Sequence, residues 1–253
     1  MESEIAPYVT LTEENGIGTI EFFHPNQNSL PTDILLQLKE TILAAGKNDS
    51  ISVIVLKSGG DRTFCAGASF NELISITDAE SGTCFFSGFA HLINAMRTCP
   101  KLIIGRIHGK AVGGGVGLAA ATDYCLATKH ASIKLSELSI GIGPFVIEPA
   151  VSRKIGESAI SQMSIDAEMF FSAKWAKEKG LYANVFETVE ALDGAVKVLT
   201  EKLSTYNPEA LRQMKTIFWK GCEHWDDLLI ERAKISGKLV LSDFTKSTLK
   251  RFQ

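Results

Sequence analysis

Hydrophobic positions change their spacing along the chain, and the changes predict strands and helices in alternation. Residues 8–12 and 17–23 (IGTIEFF) are extended-type runs separated by Glu14-Asn15-Gly16, the pattern of a β-hairpin with an Asn-Gly turn. HPNQNSLPTD breaks the pattern. Pro31 and Thr32 then suit a helix start, and ILLQLKETILAAG carries apolar residues at helical spacing up to Gly46. The β-branched run ISVIVLKS predicts a buried strand and leads through SGGDRT into FCAGAS. A short helix is expected over 70–79, and a longer amphipathic one over CFFSGFAHLINAMRTC, ended by Pro100. KLIIGRI predicts another buried strand, followed by GKAVGGG, a helix over VGLAAAT and a strand over YCLATK.

Strands separated by helices imply right-handed βαβ crossovers and a largely buried sheet, an α/β architecture. The second half differs. ASIKLSELSIGIGPF is broken by glycine and proline, and from Pro149 onward the pattern is mostly helical, with a brief strand over Ala183–Glu187. Final helices near 207–220, 224–239 and 241–251 carry Trp219, Trp225 and repeated leucines. Their apolar faces exceed what one small core needs, which points to an oligomer. There is no low-complexity segment and no sequence repeat of about 20–50 residues.

Composition narrows the function classes. The 253 residues are 45% hydrophobic and 22% charged, ordinary for a globular protein. A formal charge of −3 supplies no basic field, so binding of nucleic acid through its phosphates is not expected. The opening MESEIAPYVT has neither a basic start nor an apolar core, so no signal peptide is expected. No run approaches the roughly 18 apolar residues of a membrane helix. Five cysteines (65, 84, 99, 125, 222) with no CxxC spacing fit reduced thiols in a cytoplasmic protein, with neither a disulfide framework nor a metal site.

Two short stretches carry the candidate chemistry: FCAGAS and GGGVG, the latter running straight into LAAAT. Each has the form of an extended segment, a glycine-dependent turn and a helix start. Glycine there permits positive φ and leaves backbone N–H groups uncovered, and a helix N-terminus adds partial positive charge. Two such turns face to face would offer converging donors to an oxygen that becomes negative during a reaction. Read alone, GGGVG is more often close helix–strand packing. A dinucleotide site is disfavoured by the wrong spacing for GxGxxG and by the lack of a suitable acid about 20 residues on.

The order FCAGAS, AVGGGVGLAAATDYCLAT, SELSIGI resembles the crotonase (enoyl-CoA hydratase/isomerase) superfamily, and KWAKEKGLYANVF extends the resemblance. It implies a spiral of ββα units over 1–195 and a helical C-terminal region over 196–253 that builds trimers or hexamers. It implies an acyl-CoA thioester substrate, coenzyme A being part of the substrate with no separate cofactor, and an enolate held by two backbone N–H groups. On this chain those are the N–H of Ala68 and of Gly114. Ala66, Ala68, Ser69, Phe70, Asn71 and Gly114 would line the substrate groove. Ser69 stands where the family often has aspartate.

The acids then divide the reactions. Hydratases of the family use two glutamates; the position of the first, three residues after Gly114, is Gly117 here, while Glu137 in SELSIGI matches the second. A glycine cannot deprotonate water. One carboxylate is sufficient to move a double bond from C3–C4 to C2–C3, by taking a proton at C2 and returning it at C4. IGIGPFVIEP also resembles mitochondrial-type enoyl-CoA isomerases, so isomerase is the preferred expectation and Glu137 its catalytic residue. The alternatives are a hydratase, thioesterase, dehalogenase or decarboxylase of the same family, or a non-catalytic acyl-CoA-binding member. Glu148 is a reserve base. His108 reads as structural, Cys65 has no base beside it in the motif, and Phe85, Phe86 and Phe89 read as core or acyl-pocket wall.

Overall fold

The computed structural model describes residues 6–252, so residues 1–5 of the opening stretch lie outside the described residues. Strand β1 (Tyr8–Glu14) turns into β2 (Ile17–Phe23) through Asn15 and Gly16, both at positive φ (51° and 78°), as the Asn-Gly pair requires. After β3 (Ser29–Leu30) and α1 (Thr32–Lys47) come β4 (Val53–Ser58), β5 (Thr63–Cys65), β6 (Gly67–Ala68) and α2 (Phe70–Ser75). Helix α3 spans Ala79–Thr98, five residues more at its N-terminus than its apolar spacing predicts. The cause is a capping box. Asp78 accepts from the Ser81 N–H while the Ser81 side chain accepts from the Asp78 N–H, starting the helix on a polar turn.

Next come β7 (Leu102–Ile107), β8 (Lys110–Val112), α4 (Gly114–Ala121), β9 (Tyr124–Thr128), β10 (Ile133–Lys134) and a single 3₁₀ turn, Glu137–Ile140. The C-terminal part holds α5 (Glu148–Ile155), α6 (Glu157–Ile165), α7 (Ala173–Glu178), β11 (Asn184–Phe186), α8 (Val189–Ser204), α9 (Pro208–Phe218), α10 (Trp225–Leu239) and α11 (Asp243–Leu249).

The main sheet has the order β1-β2-β4-β7-β9-β11, parallel throughout except for the β1–β2 hairpin. One face (Ile54, Leu56, Ile103, Ile107) packs into the central core with α1 and α3. The other (Val53, Leu102, Ile104, and Val55 with Leu126) meets residues of α8 and α9. Burial on both faces explains why β4 and β7 read as continuous apolar runs. Shorter strands follow the long ones and pair among themselves, β10-β8-β5 and β3-β6. The chain thus repeats long strand, short strand, helix. This is an α/β spiral of the kind the sequence resemblance implies.

The late helices are anchored to the body. Asp123, just before β9, accepts from Lys215 Nζ (2.9 Å), Trp219 Nε1 (2.7 Å) and the Ile103 N–H (2.7 Å). Trp219 and Trp225 are both buried within the chain, edge to face. Helix α10 crosses α3 where two glycines meet: a β-carbon on Gly82 would lie 2.8 Å from the Gly237 carbonyl oxygen. No helix among the described residues is long and apolar enough to cross a membrane.

Candidate active site

Gly67 and Gly113 take backbone conformations that a side chain would strain, φ 88° and φ 53° with ψ −120°. Their turns face each other. A β-carbon built on Gly67 would lie 3.0 Å from the Val112 carbonyl oxygen and 3.4 Å from the Gly114 nitrogen. In the short β3–β6 pair, the Ser69 N–H donates to Leu30 (3.1 Å). Successive amides of an extended strand alternate in direction, so the Ala68 N–H points away from β3. Gly114 is the first residue of α4, where an N–H has no partner inside the helix. Ala68 and Gly114 both line one cavity of about 210 Å³.

The same cavity receives Glu137. The 3₁₀ turn is closed by Gly141 (φ 83°), and the Ile142 N–H donates back to the Glu137 carbonyl (3.0 Å). This turn sets the carboxyl against the glycine triplet, with Oε1 2.8 Å from where a Gly113 β-carbon would be. The residue as a whole is partly exposed, but Oε2 is buried and has no hydrogen-bond partner among the described residues. Burial pushes the carboxyl up from the ordinary range to about 7, against a smaller opposing effect of its own backbone N–H. A carboxyl so placed exchanges a proton near neutral pH.

Of the remaining residues singled out from the sequence, Ala66 and Phe70 also line the cavity. Ser69 is not on the wall; its hydroxyl caps α2 by accepting from the Glu72 N–H (3.4 Å). Asn71 is exposed on that helix and lies outside the lining as well. Glu148 begins α5 outside the cavity, facing Arg232 at 4.0 Å. His108 is buried elsewhere and held far down, to about 4, first by burial and then by Arg106 and Lys57. Burial pushes the Cys65 thiol up to about 12, which removes it as a nucleophile.

Sequence reasoning missed the wall opposite the amides. Ile140, Ile142, Phe145 and Ile147, in the irregular stretch before α5, join Phe85, Phe86 and Phe89 of α3 around the cavity. Two of them press on α4. A β-carbon on Gly114 would overlap the Phe89 ring, and one on Gly117 would lie 2.5 Å from Ile147 Cγ2. The absence of a side chain at 117 is therefore matched by an isoleucine that fills its place. The signal available was the apolar GPFVI run, which has no period that fixes its direction.

A family model described as enoyl-CoA hydratase/isomerase matches residues 12–250. The chain belongs to that family. It is 30% identical over 211 residues to a peroxisomal Δ(3,5)-Δ(2,4)-dienoyl-CoA isomerase of Arabidopsis thaliana, covering 78% of this chain and 74% of that one. It is also 30% identical over 190 residues to a 2,3-dehydroadipyl-CoA hydratase of Escherichia coli, covering 75% and 72%. A crystal structure of an enoyl-CoA hydratase from Mycobacterium avium superposes with a TM-score of 0.84 at 26% identity, over 96% of this chain and 95% of the other. Both reaction types thus occur among the relatives of this enoyl-CoA hydratase/isomerase family member.

Proposed function

We propose that this acyl-CoA enzyme shifts a double bond, converting 3-enoyl-CoA into 2-enoyl-CoA, with Glu137 as the proton shuttle. The observation that carries this reading is the acid inventory of the cavity: among the described residues lining it, Glu137 is the one titratable side chain. In this mechanism the Glu137 carboxylate takes a proton from C2, and the C2 electron pair delocalises onto the thioester oxygen. The Ala68 and Gly114 N–H groups stabilise the resulting dienolate. The pair then returns, C2=C3 forms, and Glu137 gives its proton to C4. No cofactor is needed beyond the coenzyme A of the substrate.

Water addition would need a water held and deprotonated beside C3. Gly117 does not line the cavity, and the space beside it is filled by Ile147 and Ile93, which offer a water no polar partner. Gly117→Glu alone should therefore misfold locally or still fail to hydrate 2-enoyl-CoA. Gly117→Glu with Ile147→Gly makes room for the carboxylate, at the loss of a buried core side chain that costs about 2–5 kcal/mol of stability. Hydration of 2-enoyl-CoA should appear in the double variant and be absent from wild type. Equal hydration by wild type and the double variant would sink the reading.

A homotrimer or hexamer is part of the proposal, resting on the family resemblance. Exposed Met214, Ile217 and Phe218 at the end of α9 are consistent with a covered face. Sedimentation should show an oligomer at micromolar concentration; a monomer there would contradict it.

A further inference from the structure

We infer that the cavity selects uncharged acyl chains of at most about eight carbons and rejects acyl chains that end in a carboxylate. The inference rests on the acyl-CoA reading above and goes on to name the acyl class. Apart from Glu137, the polar side chains on the wall are Ser136 and Ser236, and the Ser236 hydroxyl donates to the Arg232 carbonyl of its own helix (3.4 Å). No lysine, arginine or histidine among the described residues lines it. A terminal carboxylate entering this wall would lose its water without gaining a cation, and would meet the like charge of ionised Glu137.

Size follows from volume and rigidity. A 150 Å³ cavity lined by leucine, isoleucine and phenylalanine holds a benzene, so about 210 Å³ holds on that scale about eight carbons. The wall has little freedom to widen. Phe85 and Phe86 stand edge to face at 5.1 Å, and Phe89 is pressed on Gly114. The helix that carries all three is fixed by its glycine–glycine crossing with α10. Longer chains must leave their extra methylenes in water.

Calorimetric titration of the full chain with saturated acyl-CoAs reads binding without turnover. From butanoyl- to hexanoyl- to octanoyl-CoA, affinity should rise by about fourfold for each methylene buried. It should be flat from octanoyl- to dodecanoyl-CoA. Adipoyl-CoA should bind at least about tenfold more weakly than hexanoyl-CoA, of equal length. Glu137→Gln should narrow that gap by removing the like charge, without closing it. Adipoyl-CoA binding as tightly as hexanoyl-CoA, or a continued gain to dodecanoyl-CoA, would overturn the inference. Failure of all these acyl-CoAs to bind would overturn it together with the acyl-CoA reading. The expected ranking in an enzyme that leaves 3-enoyl-CoA unchanged would support the inference and reject only the isomerase mechanism.

Discussion

Glu137→Gln should reduce conversion of 3-enoyl-CoA by about 10²–10⁴-fold, the usual contribution of a positioned general acid–base. The amide keeps the shape but cannot take the C2 proton, so acyl-CoA binding should change little. The pH dependence separates this from a structural effect. With the carboxyl raised to about 7, wild-type turnover should climb as pH rises through 7, and that limb should vanish in the variant. Stability should move the opposite way. A raised carboxyl binds its proton more tightly folded than unfolded, so its stabilising contribution is complete below about 4.5 and is lost as pH rises through about 7. Thermal melts should show the variant gaining on wild type between pH 5 and 8, by up to about 3 kcal/mol. A variant that keeps full turnover, or loses it with an unchanged pH profile, would remove Glu137 from the chemistry.

Removing the Gly114 donor should cost about 10²–10³ in kcat, or about 2.7–4 kcal/mol of transition-state stabilisation. Proline suits the first position of a helix, so Gly114→Pro deletes the N–H at a place where α4 can survive it. The obstacle is Phe89, whose ring occupies the space of any side chain at 114. The comparison is therefore made on a Phe89→Ala background, with Gly114→Ala as the reference that keeps the N–H. Steady-state assays should find the proline form slower by the stated factor. Equal turnover of the two forms would mean that this amide does not hold the developing charge.

Much of this architecture could be read from the chain before any coordinates. Asn15-Gly16 sets the hairpin because both residues tolerate positive φ, and β4 and β7 announce themselves by unbroken apolar runs. Two-residue strands such as Ser29–Leu30 and Ile133–Lys134 are too short to show a period and were invisible. The extra turn of α3 was hidden because the capping residues Asp78 and Ser81 are polar. In the site, the two glycine turns were legible as turns, but their separation was not. Bringing Gly67 to the Gly114 amide depends on the parallel pairing of β5 with β8. The missing acid at Gly117 was plain in the sequence. That Ile147 fills its place was not, because contact between α4 and the start of α5 is a tertiary fact. Nor could sequence show that Glu137 Oε2 is buried with no hydrogen-bond partner among the described residues, or that burial raises the carboxyl's proton affinity.

The most direct measurement gives the wild-type protein each substrate separately, 3-enoyl-CoA and 2-enoyl-CoA of the same short chain, and identifies the products. The expected result is a double-bond shift in the first and no 3-hydroxyacyl-CoA from the second. Brisk hydration of 2-enoyl-CoA with no shift in 3-enoyl-CoA would contradict it, and would mean that a group other than Glu137 activates water in this cavity.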